Sequence, residues 1–352
     1  MIKIEYIEIE VPNLHDAIHY YTHAFQLRIA ATQDSEEKYA VLLQQGGVKI
    51  ILSQAQNKTA SPCSGDERDK VDHVVKEIAY LTTDVKKTYD RAVSMGQKSV
   101  QFPSMYSTKD GDVCVATVLA IGNIRQTFIQ RFNPSGDALP LFETLDLKDA
   151  EAEELSVIDH IAVCVQEEDL DKWVELFVSV YDFKQSYEEY VATEKSGMNS
   201  KVVESKNGKA KIVFVAPIKG KMQSQITDYL RYNNGPCVQH IAFATSDIFH
   251  TVKNLRLRGV EFLSIPDRYY EMQKNKIGLD FETEQALKSL AILVDKQESG
   301  FLYQVFTKTY QSKPTLFFEI IQRVGCDGFG SNNIKTLFQA IEQEQTKRDA
   351  VC

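Results

Sequence analysis

The chain has 352 residues, 43% hydrophobic and 25% charged, with a net charge of −9. That length suffices for a sizeable core or two related domains, and the acidic balance argues against a general grip on a nucleic-acid backbone. The N-terminal run MIKIEYIEIEV lacks the basic-then-apolar pattern of a signal peptide, and no stretch approaches the roughly 18 apolar residues of a membrane helix. Six cysteines (Cys63, Cys114, Cys164, Cys237, Cys326 and Cys352) are scattered without C-x-x-C pairs, which reads as reduced thiols. A cytoplasmic protein with neither nucleic acid nor membrane as partner is expected.

In chain order, the segment from Ile4, IEYIEIEVPNLHDAIHYYTHAF, predicts an alternating strand and then an amphipathic helix. Its His15, His19 and His23 have i, i+4 spacing, but no Glu completes a metalloprotease pattern, so they read as a solvated helix face. His73 sits in a strand-like run among charged neighbours. From Ile78 to Pro103 the order is strand, Thr-Asp, helix, Gly turn and short strand. Asp84 stands where a helix N-cap is needed and Gly96 where the helix must stop. A strand-like TFIQR follows at Thr127–Arg131. Pro134, Gly136 and Pro140 then punctuate a polar stretch.

Beyond it the same order returns. IDHIAVCVQEEDLDKWVELFVSVY from Ile158 matches the segment from Ile4. The segment Ile241–Pro266 matches Ile78–Pro103, with Asp247 and Gly259 at the cap and stop. EIIQR at Glu319–Arg323 matches TFIQR. The chain therefore reads as an α+β protein of two pseudo-repeated halves, 1–150 and 151–352, each built of paired βαβββ modules curling into a half-open sheet barrel. A last amphipathic helix is predicted over 332–348, capped by Asn332 or Asn333. Leu337, Phe338 and Ile341 would face the cup as a lid.

The halves differ where chemistry would. His160 aligns with Tyr6, His240 with Glu77 and Glu319 with Thr127, and each of the three lies in an apolar run: IDHIAV, VQHIAF and LFFEII. A lone strand histidine is usually a packed core residue, whereas a lone buried Glu is costly and calls for a cation. Three together, confined to one half, point to a metal site. Because strands alternate their faces, one side chain from each of three strands can point inward. Two imidazoles and one carboxylate leaving open positions is the facial set of non-haem Fe(II) oxygenases.

With those residues in hand, the sequence resembles the 4-hydroxyphenylpyruvate dioxygenase family, which has the vicinal-oxygen-chelate fold and includes the 4-hydroxymandelate synthases. The segments carrying the resemblance are IDHIAV, GMNSKVV, QSQITDYL, VQHIAFATSDI, GVEFLSIPDRYY, FLYQVFTK, PTLFFEIIQR and GFGSNNIKTLFQAIE. It covers nearly the whole chain and is strongest from about 155 to 345. It implies Fe(II) on His160, His240 and Glu319, and an aromatic 2-oxo acid chelated through its carboxylate and keto oxygen. Oxidative decarboxylation by O2 and hydroxylation of the aryl product would follow. It also implies polar contacts from Ser200, Gln225, Gln239 and Gln304, aromatic walls from Phe306, Phe317 and Phe329, further contacts from Asn333, and a homodimer or homotetramer.

Two positions depart from the homogentisate-forming members. Where they carry a Pro-x-Asn-Glu-Pro-like run, this chain reads VFVAP, with Val215 at the Asn position. Where they end Gly-Phe-Gly-Lys-Gly-Asn-Phe, it reads GFGSNNI, with Ile334 last. Both departures resemble the mandelate synthases, so benzylic hydroxylation to 4-hydroxymandelate is the expected reaction and homogentisate the alternative. A sequestering binder would not need the intact ligand triad. Isomerase or extradiol chemistry is disfavoured by the three glutamines and the GFG segment.

Overall fold

The computed structural model describes residues 2–56, 73–133, 135–145, 153–193, 196–220, 222–297, 300–309 and 315–349. The first half runs β1 (Lys3–Glu10), α1 (Leu14–Ala24), β2 (Arg28–Asp34), β3 (Lys38–Gln45), β4 (Val48–Ala55), β5 (Val74–Leu81), α2 (Val85–Ser94), β6 (Lys98–Thr108), β7 (Gly111–Ala120), β8 (Ile124–Arg131) and β9 (Glu143–Thr144). The second runs β10 (Val157–Cys164), α3 (Leu170–Tyr181), β11 (Phe183–Ala192), β12 (Gly197–Ser205), β13 (Lys211–Ile218), α4 (Gln225–Tyr232), β14 (Cys237–Ala244) and α5 (Ile248–Leu257). It ends with α6 (Asp267–Ile277), α7 (Phe281–Leu290), β15 (Leu293–Gln297), β16 (Gly300–Phe306), β17 (Phe317–Val324) and α8 (Ser331–Asp349). The division placed near residue 150 falls within 146–152, outside the described residues.

Every strand of the first half joins one sheet, ordered β6-β7-β8-β5-β1-β4-β3-β2-β9, and every strand of the second joins another, β11-β12-β13-β10-β14-β17-β16-β15. Each sheet curls into a half-barrel. The strand registers reproduce the repeat residue by residue. Tyr6 stands opposite Ala79 as His160 stands opposite Ala242, and both strand pairs have a register shift just before these residues. Ala79 faces Thr127 as Ala242 faces Glu319.

The local signals act as read. Asp84 accepts from the Lys87 amide at 2.9 Å, and Asp247 from the His250 amide at 3.0 Å. Gly96 (φ +85°) and Gly259 (φ +89°) close their helices in the left-handed region that an L side chain resists. The two halves differ after these glycines. In the first, β6 continues past Pro103 through a register irregularity between Gln101 and Ser104, a bulge on an edge strand where proline is tolerated. In the second, the predicted short strand before Pro266 is only an isolated bridge, Phe262 to Thr307, and Pro266 opens the inserted pair α6 and α7. His73 lies just before β5, buried, with its Nδ1 3.3 Å from the Tyr21 hydroxyl.

The halves pack with the backs of their sheets facing each other, so each cup opens away from the shared core. Phe25, just after α1, meets Phe318 of β17 at 5.1 Å between ring centres, and Tyr181 of α3 meets Phe128 of β8 at 5.3 Å. One apolar cluster runs through both halves, so removing either half would expose a large apolar face.

Candidate metal centre

His160, His240 and Glu319 come from three adjacent strands, β10, β14 and β17, and are 2%, 7% and 1% exposed. Their ligand atoms all lie within 4.8 Å of one another. Glu319 Oε2 is 3.2 Å from His160 Nε2 and 3.4 Å from His240 Nε2. Bonds of about 2.1 Å at right angles place neighbouring donors about 3 Å apart. The two carboxylate–imidazole separations thus suit neighbouring positions on a six-coordinate divalent ion, and among the described residues no fourth His, Cys, Asp or Glu joins the group.

Each ligand is held by a partner on its other side. Asp159 Oδ1 accepts a hydrogen bond from His160 Nδ1 at 2.8 Å, and Gln239 Oε1 lies 3.1 Å from His240 Nδ1. Gln304 Nε2 donates to Glu319 Oε1 at 2.9 Å. These contacts turn both imidazole Nε2 atoms and one carboxylate oxygen toward the cup.

The electrostatics point the same way. Burial opposes charge on His160, but Glu319 and Asp159 beside it outweigh that and raise its pKa to about 9. Burial would raise Glu319, yet His160 and His240 draw it down to about 2. His240 is lowered, by burial first, with the charge on His160 adding to it. The opposite shifts of His160 and Glu319 mark an imidazolium–carboxylate pair in the place a cation would take. Asp159 is held well below the carboxylate range because hydrogen bonds from Arg323 and His160 override its burial.

A small, mainly apolar cavity of about 60 Å³ lies above these ligands. Ser200, Val215, Gln225, Gln239, Gln304, Phe306, Phe329 and Ile334 line it, and Leu337, Phe338 and Ile341 of α8 roof it. Two residues expected in the wall stand behind it instead. Phe317 stacks on the His240 ring at 4.9 Å. Asn333 is fully buried, donating to Gln304 Oε1 at 2.9 Å and accepting from the Tyr269 hydroxyl at 2.7 Å. Nor does either asparagine cap α8, which begins at Ser331; the Asn332 amide donates to Asp295 at 2.8 Å. Met198 and Val213 complete the wall. Sequence reasoning missed Met198 as a lining residue, although alternation from Ser200 on β12 puts it on the same face.

In the first half the equivalent positions carry no ligand set. The Tyr6 hydroxyl donates to Glu77 at 2.6 Å, Arg125 donates to the other Glu77 oxygen at 2.7 Å, and Thr127 pairs with Thr117 at 2.8 Å.

Residues 157–284 match the Glyoxalase/Bleomycin resistance protein/Dioxygenase superfamily. A 4-hydroxyphenylpyruvate dioxygenase of Dictyostelium discoideum is 36% identical over 307 residues, covering 82% of this chain and 84% of that relative. The chain belongs to the 4-hydroxyphenylpyruvate dioxygenase family. Another member of this family, from Pyricularia oryzae, is 33% identical across 96% of this chain and 89% of its own length. Among solved structures, a triple mutant of 4-hydroxymandelate synthase from Streptomyces coelicolor superposes with a TM-score of 0.86 at 28% identity. That match covers 97% of this chain and 98% of the other. As a member of the dioxygenase family, the chain is a metal-dependent dioxygenase whose three-ligand site lies wholly in its second half. No helix among the described residues is long and apolar enough to cross a membrane.

Proposed function

We propose that the chain binds Fe(II) at His160, His240 and Glu319 and converts 4-hydroxyphenylpyruvate and O2 to 4-hydroxymandelate and CO2. One oxygen atom ends in the new carboxylate and the other on the benzylic carbon. The chemistry Fe(II) supplies when bound is activation of O2 beside a chelated 2-oxo acid. The protein supplies position and dryness. Gln225 Oε1 is buried at the cup wall without a hydrogen-bond partner, an acceptor suited to a phenolic hydroxyl. Ser200 and Gln239 offer further polar contacts, while the apolar face of α8 keeps water from the reacting centre.

The observation that carries the choice of product is the placement of Val215 and Ile334. Both line the cup and present only methyl and methylene groups to it. An Asn and a Phe at these positions would add a polar handle and a flat wall. Without them the ring has room to turn, and about 1 Å of displacement is enough to change which carbon reacts. The structural likeness to a mandelate synthase supports this reading; the identity to homogentisate-forming relatives favours the alternative.

Purified protein loaded anaerobically with Fe(II), then given 4-hydroxyphenylpyruvate and O2, should yield 4-hydroxymandelate by chromatography against standards. Homogentisate would overturn the argument from Val215 and Ile334 while leaving the metal site intact. The double variant Val215→Asn, Ile334→Phe should move product toward homogentisate by at least about tenfold in ratio, and an unchanged ratio at retained turnover removes the explanation.

We further propose that residues 1–150 act as scaffold and 151–352 as the catalytic half, since the ligand set is confined to the second sheet. The proposed setting is a cytoplasmic homodimer or homotetramer, with its described cysteines, Cys114, Cys164, Cys237 and Cys326, as free thiols. Light scattering tests the assembly.

A further inference from the structure

Asp159 and Arg323 form an ion pair whose counterpart, Glu5 with Arg131, recurs in the half without the ligand set. Arg323 grips Asp159 with two parallel hydrogen bonds, Nε to Oδ2 at 2.8 Å and Nη2 to Oδ1 at 2.9 Å. Its Nη1 donates to the Gly328 carbonyl at 2.5 Å. In the first half Arg131, at the equivalent end of β8, donates to Glu5 at 2.7 Å and to the Ala138 carbonyl at 2.7 Å. The acid-arginine-carbonyl clamp therefore belongs to the module, where it ties the last strand to the chain that follows.

What differs is the use made of the acid. Glu5 bonds Arg131 and Lys49, and its neighbour Tyr6 turns to Glu77 instead. In the second half the acid is one methylene shorter and the next residue is a histidine. Asp159 Oδ1 thereby also accepts a hydrogen bond from His160 Nδ1. The same guanidinium lies over the Phe329 ring, 5.2 Å from its centre, and that ring meets His160 edge-on at 5.3 Å. Phe329 is a wall of the cup, and α8 starts two residues later at Ser331.

We propose that Asp159 and Arg323 are positioning residues: Asp159 fixes the tautomer and orientation of His160, and Arg323 couples that orientation to the Gly328–Phe329 segment that leads into the roof helix. The inference rests on the metal reading above. A carboxylate on the far nitrogen leaves the Nε2 lone pair facing the cup. The planar fork of Arg323 locks the carboxylate in one rotamer, which a lysine point charge does not do. Binding an ion at His160 and closing the roof thus act through one guanidinium.

The test uses the full chain, stripped of metal by a chelator and titrated with Co(II), read by visible absorption and calorimetry without turnover. Wild type should bind one Co(II), and His160→Ala should abolish it. Asp159→Asn should weaken binding by about 10- to 100-fold, because the neutral amide loses the charge that orients His160 and its NH2 group, in place of Oδ2, cannot accept from Arg323 Nε. Arg323→Lys should weaken it by a smaller factor. Glu5→Gln breaks the sister clamp and serves as the stability control; it should lower the melting temperature yet leave Co(II) affinity within about twofold. Hydrogen exchange gives a second readout: Co(II) should protect the amides of 326–334 in wild type and much less so in Arg323→Lys. Unchanged Co(II) affinity in Asp159→Asn, or an equal loss in Glu5→Gln, overturns the inference and leaves the metal reading standing. Wild type that binds no Co(II), or binds it independently of His160, removes the metal reading and this inference with it.

Discussion

A chain of hydrogen bonds runs from the roof to Glu319, the proposed metal-binding carboxylate, and its polarity can be tested. The Tyr269 hydroxyl donates to Asn333 Oδ1, Asn333 Nδ2 to Gln304 Oε1, and Gln304 Nε2 to Glu319 Oε1. Asn333 and Gln304 are 0% and 3% exposed, so a broken link leaves a group that water cannot satisfy. Asn333→Leu strands the Gln304 carbonyl, and Gln304→Met strands the Asn333 amide. Each should cost about 1–3 kcal/mol for the orphaned group. The double variant removes both partners and should recover about 1–3 kcal/mol of the sum. Asn333→Asp discriminates more sharply. Gln304 has a single amide nitrogen, already given to Glu319. An Asp at 333 would face the Gln304 carbonyl, or force a flip that sets that carbonyl against Glu319. A mere helix cap would accept Asp as readily as Asn; the relay predicts a loss at least as large as with Leu. Urea unfolding of metal-stripped protein measures the cycle free of metal linkage. Additivity within about 0.5 kcal/mol, or a neutral Asn333→Asp, would refute the relay.

The pH dependence of the two halves should differ. Glu5 and Glu8 are buried in the first, and although burial raises a carboxyl pKa, Lys49 and Arg131 beside Glu5 and Lys38 and Arg125 beside Glu8 hold both below 4.5. A depressed folded pKa stabilises above the unfolded value and loses that contribution as pH falls through the folded value. Scanning calorimetry should therefore show stability falling below about pH 4.5, with a flatter profile in Glu8→Gln; identical profiles would refute the assignment. In the second half, the pKa of about 9 on His160 means that a divalent ion displaces a proton below that pH. Co(II) binding at pH 7.5 should release about one proton, and apparent affinity should rise up to about tenfold per pH unit before levelling near pH 9. Calorimetry in buffers of different ionisation heat measures the release, and zero protons would contradict the pairing.

The fold and the ligands were legible because a duplicated module carries its own alignment. Where Tyr6 stands for His160, Glu77 for His240 and Thr127 for Glu319, the strand registers agree residue for residue. The insertion of α6 and α7 had no counterpart to reveal it, and Pro266 read as a strand end because proline closes strands and opens helices alike. A motif shared with a family tells that Phe317 and Asn333 lie near a ligand, not on which side of the wall they stand. Asp159 and Arg323 were readable in principle. An acid precedes both Tyr6 and His160, and Arg closes both TFIQR and EIIQR. An acid at a strand start is so ordinary that only its contact with Nδ1 marks it.

The first cup shows what the ligand set needs around it. Glu8 there accepts from both Lys38 and Ser53, and Arg125 bonds Glu77 and Glu8, so charged side chains link β1, β3, β4, β5 and β8. By register, Arg125 occupies the place of Phe317 and Lys38 that of Met198. Restoring three ligands alone, by Tyr6→His, Glu77→His and Thr127→Glu, should therefore fail to create a second metal site. The guanidinium would stand where Phe317 stacks on His240, presenting a cation to the grafted imidazole, and would take the new carboxylate for itself. At an effective dielectric near 20, a unit charge about 5 Å from a divalent ion costs on the order of 6 kcal/mol, several powers of ten in affinity. Adding Arg125→Phe and Lys38→Met removes that repulsion and should raise Co(II) stoichiometry from one toward two per chain in equilibrium dialysis. If the three-residue graft alone bound a second ion as tightly as the proposed native site, ligand identity would suffice, and the apolar setting of His160, His240 and Glu319 would have no part in its affinity.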